Sequence, residues 1–498
     1  MSVLKKLLGQ TALYGLSSIV GRALNFLLVP FYTAVLLPAE FGAVTELYAY
    51  VAFLNILYLY GMETTYFRFA TKEGHTEKEV FSNSLSSILL SSILLSAVLI
   101  LLSHPLASIL KYPGKEDYFI WLGLILAVDS LSAIPFARLR LEKKAGQFAF
   151  AKIFNISINI GFNLFFLVFC KNVHEASLVP GMKEFVSMIY NPSWDVEYIL
   201  ISNFLASLFT LPILWRSFSG FRISINRAVI KSMLIYSFPL MFMGFAGMID
   251  EMLSRIILKY VLPKGFYPNH TNLEALGVFG ACYRLSMFMT LAVQAFRYAA
   301  DPFFFSQSKD KNAPELFAKV MKWFVISGSF IFLFVSANLS LFQEILRNQV
   351  YREGIMVVPV LLMANLFLGI YYNLSIWYKL TDKTHLGLAI SLGGAVVTIL
   401  FNFILIPHFG YMGSAYTTLI CYFLMSLASL LWGQKHFPVP YNLLSALGYI
   451  SLSAALAAFA LSYPFGKGNL QAYGFQLMLV IIFIIFVLFN ERKYLKMK

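Results

Sequence analysis

Charge is scarce in this chain. Of its 498 residues only 12% are Asp, Glu, Lys or Arg, against roughly 25% in an ordinary soluble domain. That scarcity excludes a typical soluble enzyme and a highly charged disordered chain. Cysteine is scarce too. Cys170, Cys282 and Cys421 lie in or beside apolar runs with no C-x-x-C spacing, so neither a disulfide framework nor a zinc site is readable. None of the seven histidines falls in an H-E-x-x-H or comparable ligand spacing. A G-x-x-x-x-G-K-[ST] phosphate loop is also missing, so the chain is not expected to hydrolyse ATP. No loop is long enough to fold as a soluble domain, and no cluster of catalytic residues is visible. The expectation is a non-enzyme with no catalytic residue, metal or cofactor.

What the sequence has instead is apolar length. Hydrophobic residues make up 59% of the chain and aromatics 17%. A helix needs about 20 apolar residues to cross the hydrocarbon of a bilayer. Candidate spans lie near 11–37, 43–67, 82–103, 118–137, 150–170, 197–215, 233–260, 274–301, 320–342, 355–378, 386–406, 413–432, 443–463 and 471–490. The runs are continuous and do not alternate in short segments, which argues against a β-barrel. The expected fold is an all-α polytopic membrane protein of about 14 transmembrane helices.

The net charge of +14 fits a topology signal better than a nucleic-acid surface. With fourteen spans, 25 of the 38 Lys and Arg residues fall on one side, eight on the other and five inside spans. Lys152 and Arg140 are counted among the 25. Basic residues concentrate on the cytoplasmic side, so both termini are expected to be cytoplasmic.

An internal repeat is also present. Phe41-Gly42-Ala43 matches Phe279-Gly280-Ala281 at an offset of 238, and Phe162-Asn163 matches Phe401-Asn402 at 239. The offset pairs each span with the one six places later, so the two copies share one topology. This predicts a six-helix lobe over 1–231, a pseudo-symmetric six-helix lobe over 232–432, and transmembrane helices 13 and 14 with a tail over 433–498. A substrate site between the lobes is expected.

Ionisable residues inside spans cost about 2.5–3.5 kcal/mol each to insert and are candidates for function. The embedded bases are Arg22, Arg255, Lys259, Arg284 and Arg297. The embedded or nearly embedded acids include Glu46, Glu63, Asp129, Asp250 and Glu251. Long side chains near span ends can snorkel to the headgroups, which accounts for Lys259 and Arg297. Glu251 and Arg255, four apart on one helix, can neutralise each other. Arg22, beside Asn25, and Arg284 have no acid within a turn. Glu46 stands at the repeat position of Arg284, so a structural Glu46–Arg284 pair is one reading and a cavity site the other. A guanidinium fork suits phosphate oxygens, so unpaired arginines favour an anionic substrate. Asn155, Asn159 and Asn163 form a polar stripe that serves either helix packing or substrate contact.

Several stretches resemble polysaccharide flippases of the MOP (MATE-like) exporter superfamily, the Wzx type. They are Gly21-Arg22-Ala23-Leu24-Asn25 through Thr33, Leu37-Pro38-Ala39-Glu40-Phe41-Gly42, Tyr236-Ser237-Phe238-Pro239-Leu240, Phe279-Gly280-Ala281-Cys282-Tyr283, Gly369 to Thr384, and Phe409-Gly410-Tyr411-Met412-Gly413. The resemblance implies a flippase that carries an undecaprenyl-pyrophosphate-linked oligosaccharide, such as an O-antigen unit, from the inner to the outer leaflet of a bacterial inner membrane. It implies alternating access, with a cavity lined by Arg22, Arg255 and Arg284; Asn25 beside Arg22 and Glu46 at the repeat position of Arg284 join them as expected substrate contacts. An ion-coupling site is implied at Asp250, Asn402 and Thr417, although span 11 lacks an acid. Membrane potential or an ion gradient would supply the energy. Partners are expected to be the lipid-linked substrate, the bilayer and a glycan polymerase or ligase, with a monomeric transport unit and no nucleic acid. The lipid II flippase branch opens with Ser-Arg-x-x-Gly-x-x-Arg, of which the segment from Gly21 lacks the glycine and second arginine. A MATE-type cation/drug antiporter is the main alternative.

Overall fold

The computed structural model describes residues 19–71, 76–175, 180–307, 310, 312–381, 383–462 and 470–495. Residues 11–18 of the expected first span lie outside these. So do Lys5, Lys6, Lys72, Lys309, Lys311, Lys467, Lys496 and Lys498 of the charge count.

Apolar length is realised as helix throughout the described residues. We number the membrane helices α1 (Ile19–Val35), α2 (Pro38–Ala70), α3 (Glu77–Leu101), α4 (Glu116–Leu141), α5 (Ala145–His174), α6 (Val196–Ile213) and α7 (Arg227–Val261). There follow α8 (Asn272–Leu285 and Met287–Tyr298, bent by 47°), α9 (Ala313–Ala337), α10 (Val357–Leu380), α11 (Thr384–Phe409), α12 (Tyr411–His436), α13 (Leu443–Ser462) and α14 (Gln471–Arg492). Twelve are long and apolar enough to cross a membrane, and α8 makes thirteen if its two halves are one span. The expected fourteenth, α1, is shorter than a span over its described part.

Local chemistry explains where helices begin. Pro38 starts α2 while the Glu40 carboxylate accepts from the Leu37 amide at 2.7 Å. Thr76 accepts from the Glu79 amide to open α3, and Thr271 with Glu274 forms a reciprocal capping box at α8, each satisfying amides that a helix start leaves bare. Within α2 the chain turns at Tyr60 and Gly61, both with positive φ. A Cβ on Gly61 would stand 2.9 Å from Leu240 Cβ and 3.0 Å from the Ser237 carbonyl of α7. Glycine is required there for conformation and for close approach alike.

The described chain falls into two compact units. One comprises the described part of Met1–Leu28 with Val35–Met248; the other comprises Val29–Ala34 with Ile249–Lys498, so α13 and α14 belong to it. In the first unit α4 packs against α2, α3 and α6. Small polar residues join α3 to α4: Ser92 and Ser130 hydroxyls are 2.7 Å apart, and Ser96 donates to the Gly123 carbonyl at 2.8 Å. In the second unit α12 packs on α10 and α11, and α9 on α13. Trp377 donates to Ser429 at 3.2 Å across α10 and α12. Polar and small groups face inward while Leu400, Phe403 and Ile404 of α11 are more than half exposed. That is the arrangement expected in lipid, where burial of apolar surface no longer drives helices together and close packing with hydrogen bonds does.

Candidate functional site

The expected cationic residues occupy different surroundings. Arg22 and Asn25 on α1 are exposed, and α1 lies close to α5, since a Cβ on Gly21 would stand 2.7 Å from Ile156 Cδ1. Arg255 on α7 is stacked over the Tyr283 ring of α8 at 4.1 Å from its centroid. One of its Nη atoms lies 3.0 Å from Met252 Sδ, and its buried Nε has no hydrogen-bond partner among the described residues. The guanidinium thus contacts Met252 and Tyr283, not Glu251. Arg284 follows Tyr283 and is half-buried, just before the bend of α8. That bend occurs at Ser286, whose hydroxyl turns back to the Tyr283 carbonyl at 2.7 Å. Arg297 stacks on Tyr372 of α10 at 4.6 Å, and Lys259 is buried.

Glu46 is fully buried. Its carboxylate accepts from the Tyr50 hydroxyl at 2.6 Å and from the Tyr112 hydroxyl. These neutral donors come from its own helix and from the segment before α4, so Glu46 braces the first unit.

The second unit gathers Asp250 and Asn402 at the meeting of α7, α11 and α12. Thr398 donates to Asp250 Oδ1 at 3.4 Å, and Cys421 Sγ lies 3.8 Å from the same oxygen. One turn along, Asn402 donates to Ser254 at 2.9 Å, and Ser414 stands 3.5 Å from its carbonyl oxygen. A Cβ on Gly394 would meet Asp250 Oδ2 at 3.0 Å, so glycine makes room for the carboxylate. Thr417 turns its hydroxyl to the Gly413 carbonyl of its own helix at 2.9 Å. A buried carboxylate with only long bonds to neutral donors is poorly compensated, and a proton or a hard, oxygen-seeking cation would relieve it. Among the described residues no three His, Cys, Asp or Glu side chains gather as a metal site.

A third assembly is absent from the sequence reading. Helices α2, α4, α5 and α6 line a polar, partly open cavity of about 370 Å³ in the first unit. Glu63, Asp129, Arg140 and Lys152 line it with Asn155, Asn203, Ser207 and Thr210. Arg140 Nη2 reaches Glu63 at 2.7 Å, and Asn155 donates to Thr210 at 3.0 Å. Lys152, expected among the charges flanking the spans, sits two turns inside α5 with Nζ 4.3 Å from the Phe136 ring centroid. Its position near the start of a span concealed it. Of the asparagine stripe, Asn155 joins this cavity, while Asn163 bonds to the carbonyl and side chain of Asn159 at 2.8 and 2.9 Å.

Solved structures share this fold. The chain is similar to a lipid II flippase MurJ in an inward closed conformation, with a TM-score of 0.69 and 13% identity over 97% of this chain and 99% of that one. It is also similar to a multidrug resistance MATE family transporter of the MOP superfamily in an inward-facing conformation, at TM-score 0.58, 14% identity and coverage of 87% and 94%. A MATE in the bent conformation follows at TM-score 0.57, 13% identity and coverage of 91% and 99%. At such identities the likeness is one of fold, that of multi-pass membrane transporters and flippases. No curated protein matches the sequence. Residues 7–308 match the model of the family described as "Polysaccharide biosynthesis protein", and the chain belongs to that family.

Proposed function

We propose that the chain is a flippase that moves an undecaprenyl-pyrophosphate-linked oligosaccharide from the cytoplasmic to the outer leaflet of a bacterial inner membrane by alternating access. Its product would feed a cell-surface polysaccharide such as an O-antigen. The observation that carries this reading is Arg255: a guanidinium within a membrane helix, stacked on Tyr283, with a buried Nε that has no hydrogen-bond partner among the described residues. In a low-dielectric setting such a group is costly unless an anion completes it. A pyrophosphate offers paired oxygens that match the guanidinium fork, and the adjacent Arg284 adds a second positive charge. Membership of a polysaccharide biosynthesis family makes a glycan on that pyrophosphate the natural cargo.

No ATP-binding motif accompanies this proposal, so the driving force must come from elsewhere. An inside-negative potential favours outward movement of negative charge by about 2.3 kcal/mol per charge per 100 mV. Cation coupling at Asp250 and Asn402 is the other source, with both termini on the cytoplasmic side and hand-over to a polymerase or ligase at the outer face.

The test is deletion of the protein in its host, followed by identification of the lipid-linked glycan that accumulates and of the leaflet that holds it. Accumulation of a complete lipid-linked unit on the inner leaflet, relieved by the wild-type chain and not by Arg255→Ala, supports the reading. Normal glycan display in the deletion strain overturns it. Asp250, a buried carboxylate amid neutral groups, favours a MATE-type cation antiporter as the second reading, for which loss of resistance to cationic drugs in the deletion strain is the discriminating result.

A further inference from the structure

The cavity inside the first unit is not where the pyrophosphate arginines Arg255 and Arg284 lie, and its chemistry differs from theirs. We propose that it binds a neutral saccharide unit of the transported glycan, an inference that rests on the glycan-flippase reading above.

The charge arrangement comes first. Glu63 and Arg140 form a closed ion pair at 2.7 Å. Asp129 and Lys152 form no such pair: the carboxylate lines the cavity beside Ser207 and the ammonium faces the Phe136 ring. The four charges sum to zero, so a phosphate or an organic cation entering the cavity would meet a like charge as well as an opposite one. A purely structural role would be served by closing Asp129 on Lys152, because separated charges in the membrane interior are expensive. Instead both line, without an ion pair between them, a space of about 370 Å³ that would hold roughly a dozen waters at about 30 Å³ each.

The hydrogen-bonding groups come second. The buried Arg140 Nε offers a donor that has no hydrogen-bond partner among the described residues, and the Lys152 ammonium over the Phe136 ring offers further donors. Asn155 and Asn203 each donate one amide hydrogen, to Thr210 at 3.0 Å and Tyr48 at 2.9 Å, and each carries a second amide hydrogen and a carbonyl that can serve a ligand. A ligand that donates and accepts at every position satisfies such a lining, and sugar hydroxyls do so. The Phe136 and Phe148 rings, 5.3 Å apart and edge to face, supply an apolar wall for the C–H face of a pyranose. The volume lies at the lower end of the range of about 300–1,000 Å³ typical of small-ligand sites, enough for a saccharide unit and too small for a whole oligosaccharide.

The experiment uses the full chain in lipid nanodiscs and saturation-transfer NMR with free neutral sugars: glucose, galactose, N-acetylglucosamine, N-acetylgalactosamine, rhamnose and their common disaccharides. At least one is expected to bind the wild type. Its apparent dissociation constant should rise at least tenfold in Lys152→Met and in Asp129→Asn, and Ala133→Phe, which fills the cavity, should abolish the signal. Binding by no sugar of the panel, or binding unaltered in all three variants, overturns the proposal. So does displacement of every bound sugar by equimolar inorganic pyrophosphate, which would make this an anion site. A deletion strain that accumulates lipid-linked glycan while the NMR panel is silent rejects the saccharide site alone; sugar binding without such accumulation rejects the flippase reading.

Discussion

The Arg255 guanidinium lies 4.1 Å from the centroid of the Tyr283 ring and, among the described residues, has no hydrogen-bond partner for its buried Nε. A ring face attracts a cation by about 0.5–2 kcal/mol, yet it cannot satisfy an N–H in the plane of the guanidinium. Tyr283 therefore orients Arg255 and leaves its donor edge available to an anion.

Arg255→Ala should abolish glycan export without loss of folded protein, and Arg255→Lys should restore only part of it, because an ammonium keeps the charge and loses the fork. Tyr283→Leu should weaken export less than Arg255→Ala. Arg284→Ala and Arg22→Ala are each expected to abolish export too. Leaflet-resolved detection of the lipid-linked glycan, beside protein levels in the membrane, checks all five variants.

Asp250→Asn keeps the shape of the α7–α11–α12 contact and removes the negative charge. If the cluster couples a cation, flipping by the variant in vesicles should lose its response to a sodium or proton gradient while keeping its response to membrane potential. An unchanged gradient response would remove Asp250 from coupling.

The C-terminal helix is held by a buried charge. Lys322 of α9 lies 2.6 Å from Glu491, whose other oxygen accepts from the Tyr449 hydroxyl of α13 at 2.9 Å. Removing one partner of a buried pair costs about 3–5 kcal/mol, so Glu491→Ala should unfold at a clearly lower temperature in detergent. The double variant Lys322→Met with Glu491→Gln should recover most of that loss, because no lone charge is left buried.

Gly61→Ala should destabilise the first unit by about 1–3 kcal/mol, since φ is +76° and the new methyl would press on Leu240 and the Ser237 carbonyl. Gly146→Ala, with nothing within 4 Å of the added methyl, should be nearly neutral. Thermal unfolding of the two variants side by side measures the contrast.

Much of the architecture was legible because a bilayer imposes one dimension on the chain. Twelve of the expected spans match single helices and a thirteenth the two halves of α8, with ends that differ by up to seven residues, since apolar length is a property of contiguous residues. The bend of α8 was not legible: Arg284 and Ser286 lie inside an unbroken apolar run, and the break comes from Ser286 turning back on the Tyr283 carbonyl. The embedded arginines and Asp250 stood out as charges in apolar surroundings. Asp250 and Asn402 reach one cluster only because α7 and α11 pack together, 148 residues apart between Asp250 and Thr398.

Sequence by itself determined that this is a helical, multi-pass membrane protein with buried positive charges, because hydrophobic length and charge cost are local quantities. Only tertiary structure decided which charges face which groups. Lys152 looked like one of many flanking lysines and instead lines a cavity with Asp129, and Glu46 accepts from Tyr50 of its own helix and Tyr112 of a distant segment. Helix packing sets those partners, because a side chain's neighbours across a bundle come from distant segments whose mutual rotation no local pattern encodes.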